Sequence, residues 1–433
     1  MPPVVQRNKL FVASCLALLV TSLSFGIRAG IINQLGVEFH LDEKQLAAIV
    51  ATAFWGFPIA VVIGGMIVDA IGIKRLLLIA FILHLIGILF TVFSNGFWSL
   101  YISTLFIGLA NGTVEAACNP LVATLYPENR TTRLNYFHLW FPGGIVLGTL
   151  IVKLFSQIGL GADWQVQVSL MIIPTLIYGY LFLKQPVPVT ERVASGVSTK
   201  QMFGSVLGPL FIFMFLCMFG TAITELFTNQ WTDVLFQTVT ENSLLILTLV
   251  AGIQVLGRAF ASPFVHRLAP EGVLLMSAIL STLGIYLMIH LQGDFIFLAA
   301  IVFGLGVAFF WPCMIGFVAE YIPRSGALGL NLMGGIGMFA VAIYTWIMGG
   351  KFDQIMMKYL PAGSNLKTDQ ASTDPTMQAT YNLARSHAGP DILKITNIIP
   401  LILIFAFAGL VLYMRNWKRR GPGPSPARTT ASA

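Results

Sequence analysis

The chain has 433 residues, of which 56% are hydrophobic and only 10% charged, with 25 Lys and Arg against 18 Asp and Glu. That composition lies outside the range of soluble domains and marks an integral membrane protein. The net charge of +7 is a topology signal, with a secondary attraction of the RNWKRR tail to anionic lipid, and gives no reason to invoke nucleic acid.

Crossing a hydrocarbon core takes about 20 helical residues. Apolar runs of that order fall at residues 10–36, 44–68, 75–94, 97–126, 134–158, 165–184, 206–236, 242–266, 272–291, 295–322, 326–350 and 392–416. They lack the period-two alternation of barrel strands, so the expected fold is an all-α membrane protein of twelve spans. The first run follows Arg7 and Lys9 as a signal peptide would, but it is a full crossing with eleven more behind it, and it reads as an uncleaved helix. It carries Arg28, at least two apolar turns before Glu38.

After span two comes GGMIVDAIGIKR, residues 64–75. Gly64, Gly65 and Gly72 permit close helix approach and a tight turn; Asp69 can face a helix N-terminus, and Lys74 and Arg75 can reach neighbouring carbonyls or acids. His84, alone on span three, is assigned to packing. On span four, Asn111, Glu115 and Asn119 recur at i, i+4 and i+8 and form a polar stripe that cannot face lipid. Glu115 either pairs with a cation, Arg28 first, and locks helices together, or works as a functional carboxyl in a cavity. Intramembrane ionisable residues are functional by default. Gly108 and Gly112 lie on another face and let a neighbouring helix approach, and Pro120 bends the helix. On span five, His138 follows Asn135 by three residues and either relays protons and binds hydroxyls or is satisfied by a neighbouring helix.

Residues 185–205, rich in Pro, Ser, Thr and Gly, form the longest cytoplasmic connection and divide the chain into six-helix halves, 1–184 and 206–416. In the second half Glu225 has Thr221 and Asn229 at helical spacing, with Trp231 two residues further on, and Trp311-Pro312 lies near the centre of span ten. Aromatic faces beside carboxylates and amides suit a sugar, stacking on its C–H face while polar groups bind hydroxyls. GRAFASPFVHRL, residues 257–268, stands where GGMIVDAIGIKR stands in the first half and brings Arg258 to the corresponding loop, a gating position. Residues 351–391 read as an external polar insertion, and residues 417–433 as a disordered cytoplasmic tail. Lysines and arginines gather at the N-terminus, in the even-to-odd loops and in the tail, which places both termini in the cytoplasm. The four cysteines lie in apolar spans and are packing residues; no metal site, cofactor site, Walker loop or HExxH is found, so an ATP-driven pump and a membrane hydrolase are unsupported.

Gly65, Asp69, Gly72, Lys74 and Arg75 resemble the loop signature of the major facilitator superfamily, whose acidic and basic residues latch the two halves in the outward-facing state. Glu115-Ala-Ala-Cys-Asn119-Pro120, followed by Arg133-Leu-Asn135, is similar to the fucose:proton symporter family, as are GRAFASPFVHRLAPEGVLL and FFWPCMIGFVAEYIPRSGALG in the second half. The resemblance implies a proton-driven sugar carrier of the inner (plasma) membrane in which Glu115 takes up and releases the proton. The chain departs from that family where span one reads SFGIRAGIINQ, with Arg28 and no acid, and where His138 and Phe141 stand in place of sugar-contacting amides. Arg28 therefore has two readings: it sets the behaviour of Glu115, or it holds an anionic substrate such as a sugar acid through its guanidinium fork. The expected machine is a monomer with a cavity lined by spans one, four, five, seven and ten and bound by small-molecule substrate, protons and membrane lipid. A non-transporting receptor on the same fold is the third reading.

Overall fold

A computed structural model describes residues 5 to 419 except 42, 160–162, 230–242, 292, 362, 365, 367–368 and 370–373. Among the described residues every regular element is a helix. Eleven helical stretches are long and apolar enough to cross a membrane, and the eighth expected span contributes the shorter apolar helix Ile246–Ala259. Spans one to four are single helices, Arg7–Glu38, Glu43–Ile71, Ile73–Val92 and Phe97–Leu125.

Several later spans are broken, and the breaks matter for the site. Span five is Arg130–His138 followed by Trp140–Gln157, and span six is Trp164–Ser169 followed by Ile172–Lys184. Span seven is Pro209–Ala222 running into a π-helical turn, Ile223–Phe227. Span eight, Ser243–Ala259, continues from Ala261 until the backbone leaves helical geometry at Ala269; span nine then runs to His290. Span ten is Phe295–Val307 and Phe310–Tyr321.

The last two spans differ from expectation. Helix Gly326–Tyr359 runs nine residues past the expected end of span eleven, and helix Pro375–Arg419 begins well before the expected start of span twelve. Much of the expected insertion is thus helix continuing beyond the apolar run, tied by Tyr359 stacking on His387 at 4.9 Å and donating to Asp391 at 3.2 Å. Hydropathy marks where a helix leaves the apolar layer and is silent on where its hydrogen bonding stops.

The halves on either side of the 185–205 connection meet where span two packs on span eleven and span five on spans eight and ten. Gly112 packs span four on span two: a Cβ there would strike the Phe57 carbonyl. The connection itself carries two short helices, Glu191–Ala194, capped by Thr190, and Thr199–Val206, opened by a Ser198/Gln201 capping box.

Candidate substrate and proton site

Prolines shape the centre of the bundle before any charge does. A proline inside a helix has no N–H for the carbonyl four residues back, which must find another donor. Pro142 follows His138 by four residues, and Pro312 follows Ala308 by four. Arg258 takes both freed carbonyls, Nη1 donating to His138 at 2.8 Å and Nε to Ala308 at 2.6 Å. Its Nη2 donates to Glu225 Oε1 at 2.6 Å. One buried guanidinium therefore joins spans five, seven, eight and ten. The sequence pattern places Arg258 at a peripheral gate; the structure sets it in the centre, where two proline-freed carbonyls and a carboxylate lie within reach of one fork.

Glu225 sits in the π-helical turn. The wider turn changes the angular step between Thr221, Glu225 and Asn229 from that of a regular α-helix. The second carboxylate oxygen, Glu225 Oε2, is buried and accepts no hydrogen bond.

Across the cavity, the first half contributes a directed chain. Asn119 Nδ2 donates to Glu115 Oε2 at 2.7 Å, and Asn119 Oδ1 lies 3.0 Å from His138 Nε2. An amide oxygen only accepts, so Nε2 carries the ring hydrogen and Nδ1 of the neutral ring is left bare, 3.8 Å from Glu115 Oε1. A small shift would let a protonated Glu115 donate to Nδ1. Phe57, Phe141, Trp311 and Met338 wall the cavity that Glu115, His138, Glu225 and Arg258 share. Its volume is about 20 Å³. A void of that order admits water and not a sugar.

Two expected site residues lie elsewhere. Asn111 accepts from His84 Nε2 at 2.8 Å and donates to Ser24 Oγ at 3.2 Å, while Tyr178 OH meets His84 Nδ1 at 2.9 Å. Each four-residue step along an α-helix overshoots a full turn by about 40°, so Asn111 faces spans one and three while Asn119 faces span five. The expected pairing of Arg28 with Glu115 is also absent: Arg28 lines a different cavity, and Arg258 is the cation that shares the Glu115 cavity. Asn229 is half-buried, with its Oδ1 buried and unpaired. Trp231 lies outside the described residues.

The 64–75 loop finds its partners in the connection and the second half. Asp69 accepts from Arg192 Nε at 2.5 Å and from the Thr190 hydroxyl at 2.5 Å. Lys74 donates to the carbonyls of Leu183 and Gln185, a cation on the C-terminus of span six. Gly72 has φ +85°, and Gly65 lies so close to Asn331 of span eleven that a Cβ would fall 2.6 Å from that residue's own. Arg75 is exposed.

Further cross-half contacts were not singled out from the sequence. Asn331 Nδ2 donates to the Ala116 carbonyl that Pro120 frees, and Arg130 Nη1 to the Ala319 carbonyl that Pro323 frees. Arg130 also reaches Glu191, and Glu320 accepts from the Thr131 amide and hydroxyl at the start of span five. The available signal was the proline: each of Pro120, Pro142, Pro312 and Pro323 leaves a predictable carbonyl open.

The bundle has a polar centre shared between its two halves. Residues 14–343 match the model of the Major Facilitator Superfamily, and the chain belongs to that family of transporters. A D-xylose transporter of Levilactobacillus brevis is 29% identical over 161 residues, 37% of this chain and 35% of that protein, so the match spans about a third of the relative's length. The Escherichia coli fucose:proton symporter, solved as a variant, is 14% identical with a TM-score of 0.65 over 89% of this chain and 98% of that one. A proton:xylose symporter bound to 6-bromo-6-deoxy-D-glucose is 16% identical with a TM-score of 0.69 over 88% of this chain and 94% of that one. At these identities the solved structures share the fold.

Proposed function

We propose that the chain is a proton-coupled symporter of a monosaccharide or close relative, working by alternating access between its two halves with Glu115 as the proton carrier. The observation that supports it most is the pairing of Glu115, Asn119 and His138 with Arg258 and Glu225 around one buried cavity. Glu115 has only neutral hydrogen-bond partners and can change its protonation without leaving a cation stranded. His138 Nδ1 offers the proton a next position. Glu225 Oε2 is an open acceptor for a sugar hydroxyl, and Trp311 supplies an aromatic face. Because the present cavity holds only a water, substrate entry requires the halves to part, and the Arg258–His138 and Arg130–Ala319 bonds are among those that must yield. The relatives named above include transporters described as carrying xylose and fucose, two of them with a proton, which favours a neutral sugar. An anionic substrate held by Arg28 has no geometric support, since Arg28 lies outside this cavity.

The test is uptake of D-xylose, L-fucose, D-galactose, D-glucose and their uronic acids into proteoliposomes under an imposed pH gradient. Gradient-driven accumulation of a neutral sugar is expected. Glu115→Gln, which mimics the protonated state, should abolish accumulation and retain exchange. PH-dependent accumulation that survives unchanged in this variant rejects Glu115 as the carrier.

Orientation follows from the clustered positives, with both termini cytoplasmic in the plasma membrane and the end of span eleven and the start of span twelve outside. The native cysteines are buried, so Asn382→Cys gives a clean probe. An impermeant thiol reagent should label it in intact cells; labelling only after lysis would invert the topology.

A further inference from the structure

A second cavity, also about 20 Å³, lies inside the first half among spans one, two, three, four and six. Its polar lining is Ser24, Arg28, Thr91 and Thr104; the rest is aliphatic apart from Met171. Arg28 stands ten residues before Glu38, about 15 Å along the helix, and Glu38 takes the Trp164 indole N–H at the helix end. The guanidinium is therefore well below that end and beyond ordinary snorkelling.

Among the described residues, no carboxylate, carbonyl or aromatic ring pairs with Arg28. The other cations of the core are matched: Arg258 by Glu225, Arg130 by Glu191, Arg192 by Asp69. Donors and acceptors in the cavity can be followed one by one. The Ser24 hydroxyl gives its proton to the Thr21 carbonyl and accepts from Asn111, and Thr91 gives its proton to Gly87. Thr104 is buried and lines the same cavity. The cavity thus presents a full positive charge in an apolar wall, with no negative group among the described residues to meet it. Such a charge at membrane depth is stabilised by a counter-charge.

The volume decides which one. A space of that order, lined by one cation and small hydroxyls, suits a small inorganic anion rather than a phospholipid headgroup or a sugar acid. We propose that Arg28 and Thr104 bind a single halide ion, chloride, as a counter-ion of the first half, separate from the central site.

The purified full chain should unfold at a higher temperature in sodium chloride than in sodium gluconate of equal ionic strength. The shift should grow with the logarithm of chloride concentration and reach roughly 2–5 °C, the size expected of a ligand present well above its Kd in a chain of this length. Thr104→Val should raise the chloride concentration needed several-fold, and Arg28→Met should abolish the chloride-specific shift. Equilibrium binding of ³⁶Cl⁻ to the unmutated chain, at one ion per chain, provides a readout should Arg28→Met fail to fold. Glu115→Gln should keep the chloride response. Equal stability in the two salts with no ³⁶Cl⁻ bound, or a chloride response unaltered in both Arg28→Met and Thr104→Val, overturns the site. Loss of the response in Glu115→Gln moves the ion to the central cavity and overturns it as well.

Discussion

Glu115 and Glu225 are both buried carboxylates at the centre of the bundle, one on each side of the same cavity, yet they are held in opposite ways. Glu225 is pinned by a guanidinium that is itself tied to two carbonyls. Glu115 meets only an amide at hydrogen-bond distance, with an imidazole nitrogen slightly further off. A carboxylate paired to a fixed cation pays heavily to take up a proton, because the cation is then left alone. One satisfied by neutral groups can exchange its proton with little rearrangement. Under the proposed mechanism, the contrast puts the mobile proton in the first half and the fixed charge in the second.

The largest effect should come from breaking the fixed pair. Glu225→Gln or Arg258→Met strands one charge in the core, which typically costs about 3–5 kcal/mol. Either variant should show sharply lower thermal stability in detergent. The double variant Glu225→Leu/Arg258→Met removes both charges and should recover much of the loss. If the double variant is as unstable as the two singles added together, the pair is not what holds the two sides.

Next in size is the amide that links Glu115 and His138, the two members of the proposed proton site. Asn119→Ala leaves Glu115 and the His138 Nε2–H without their partner, and a buried group so exposed costs about 1–3 kcal/mol. Stability should fall by that order, and the pH profile of uptake should shift as the ring is freed to turn. A stability loss with an unmoved pH profile would reduce Asn119 to packing.

The sequence makes the fold plain, because twelve apolar runs and the 64–75 loop each carry their own signal. Glu115 and Asn119 are legible for the same reason: helical spacing within one span suffices. His138 could be named, though not joined to Asn119, since nothing local links spans four and five. Arg258 is the instructive miss. Its partners are 33 and 120 residues away, and its loop resembles the first-half gate, so pattern placed it at the periphery. Arg28 drew attention for standing where the related family has an acid, yet its helix face turns into the first half. The π-helical turn around Glu225 leaves no mark in residue type. Pro142 and Pro312 do mark the carbonyls that Arg258 takes, and counting four residues back from each intramembrane proline would have found half of the site.

The smallest expected effect is the sharpest test of the comparison, because it applies to Glu115 the change that should cripple Glu225. Gln at position 115 keeps an oxygen to accept from Asn119 and adds an N–H₂ that can donate to the bare His138 Nδ1. No cation loses its counter-charge, since Arg258 keeps Glu225. Stability should therefore move by less than about 1 kcal/mol, within the range of substitutions that leave hydrogen bonding intact. The measurement is a paired thermal melt of Glu115→Gln and Glu225→Gln in the same detergent. A drop in Glu115→Gln as large as that in Glu225→Gln would mean that Arg258 leans on both carboxylates equally, and the division between a mobile proton and a fixed charge would have to be abandoned.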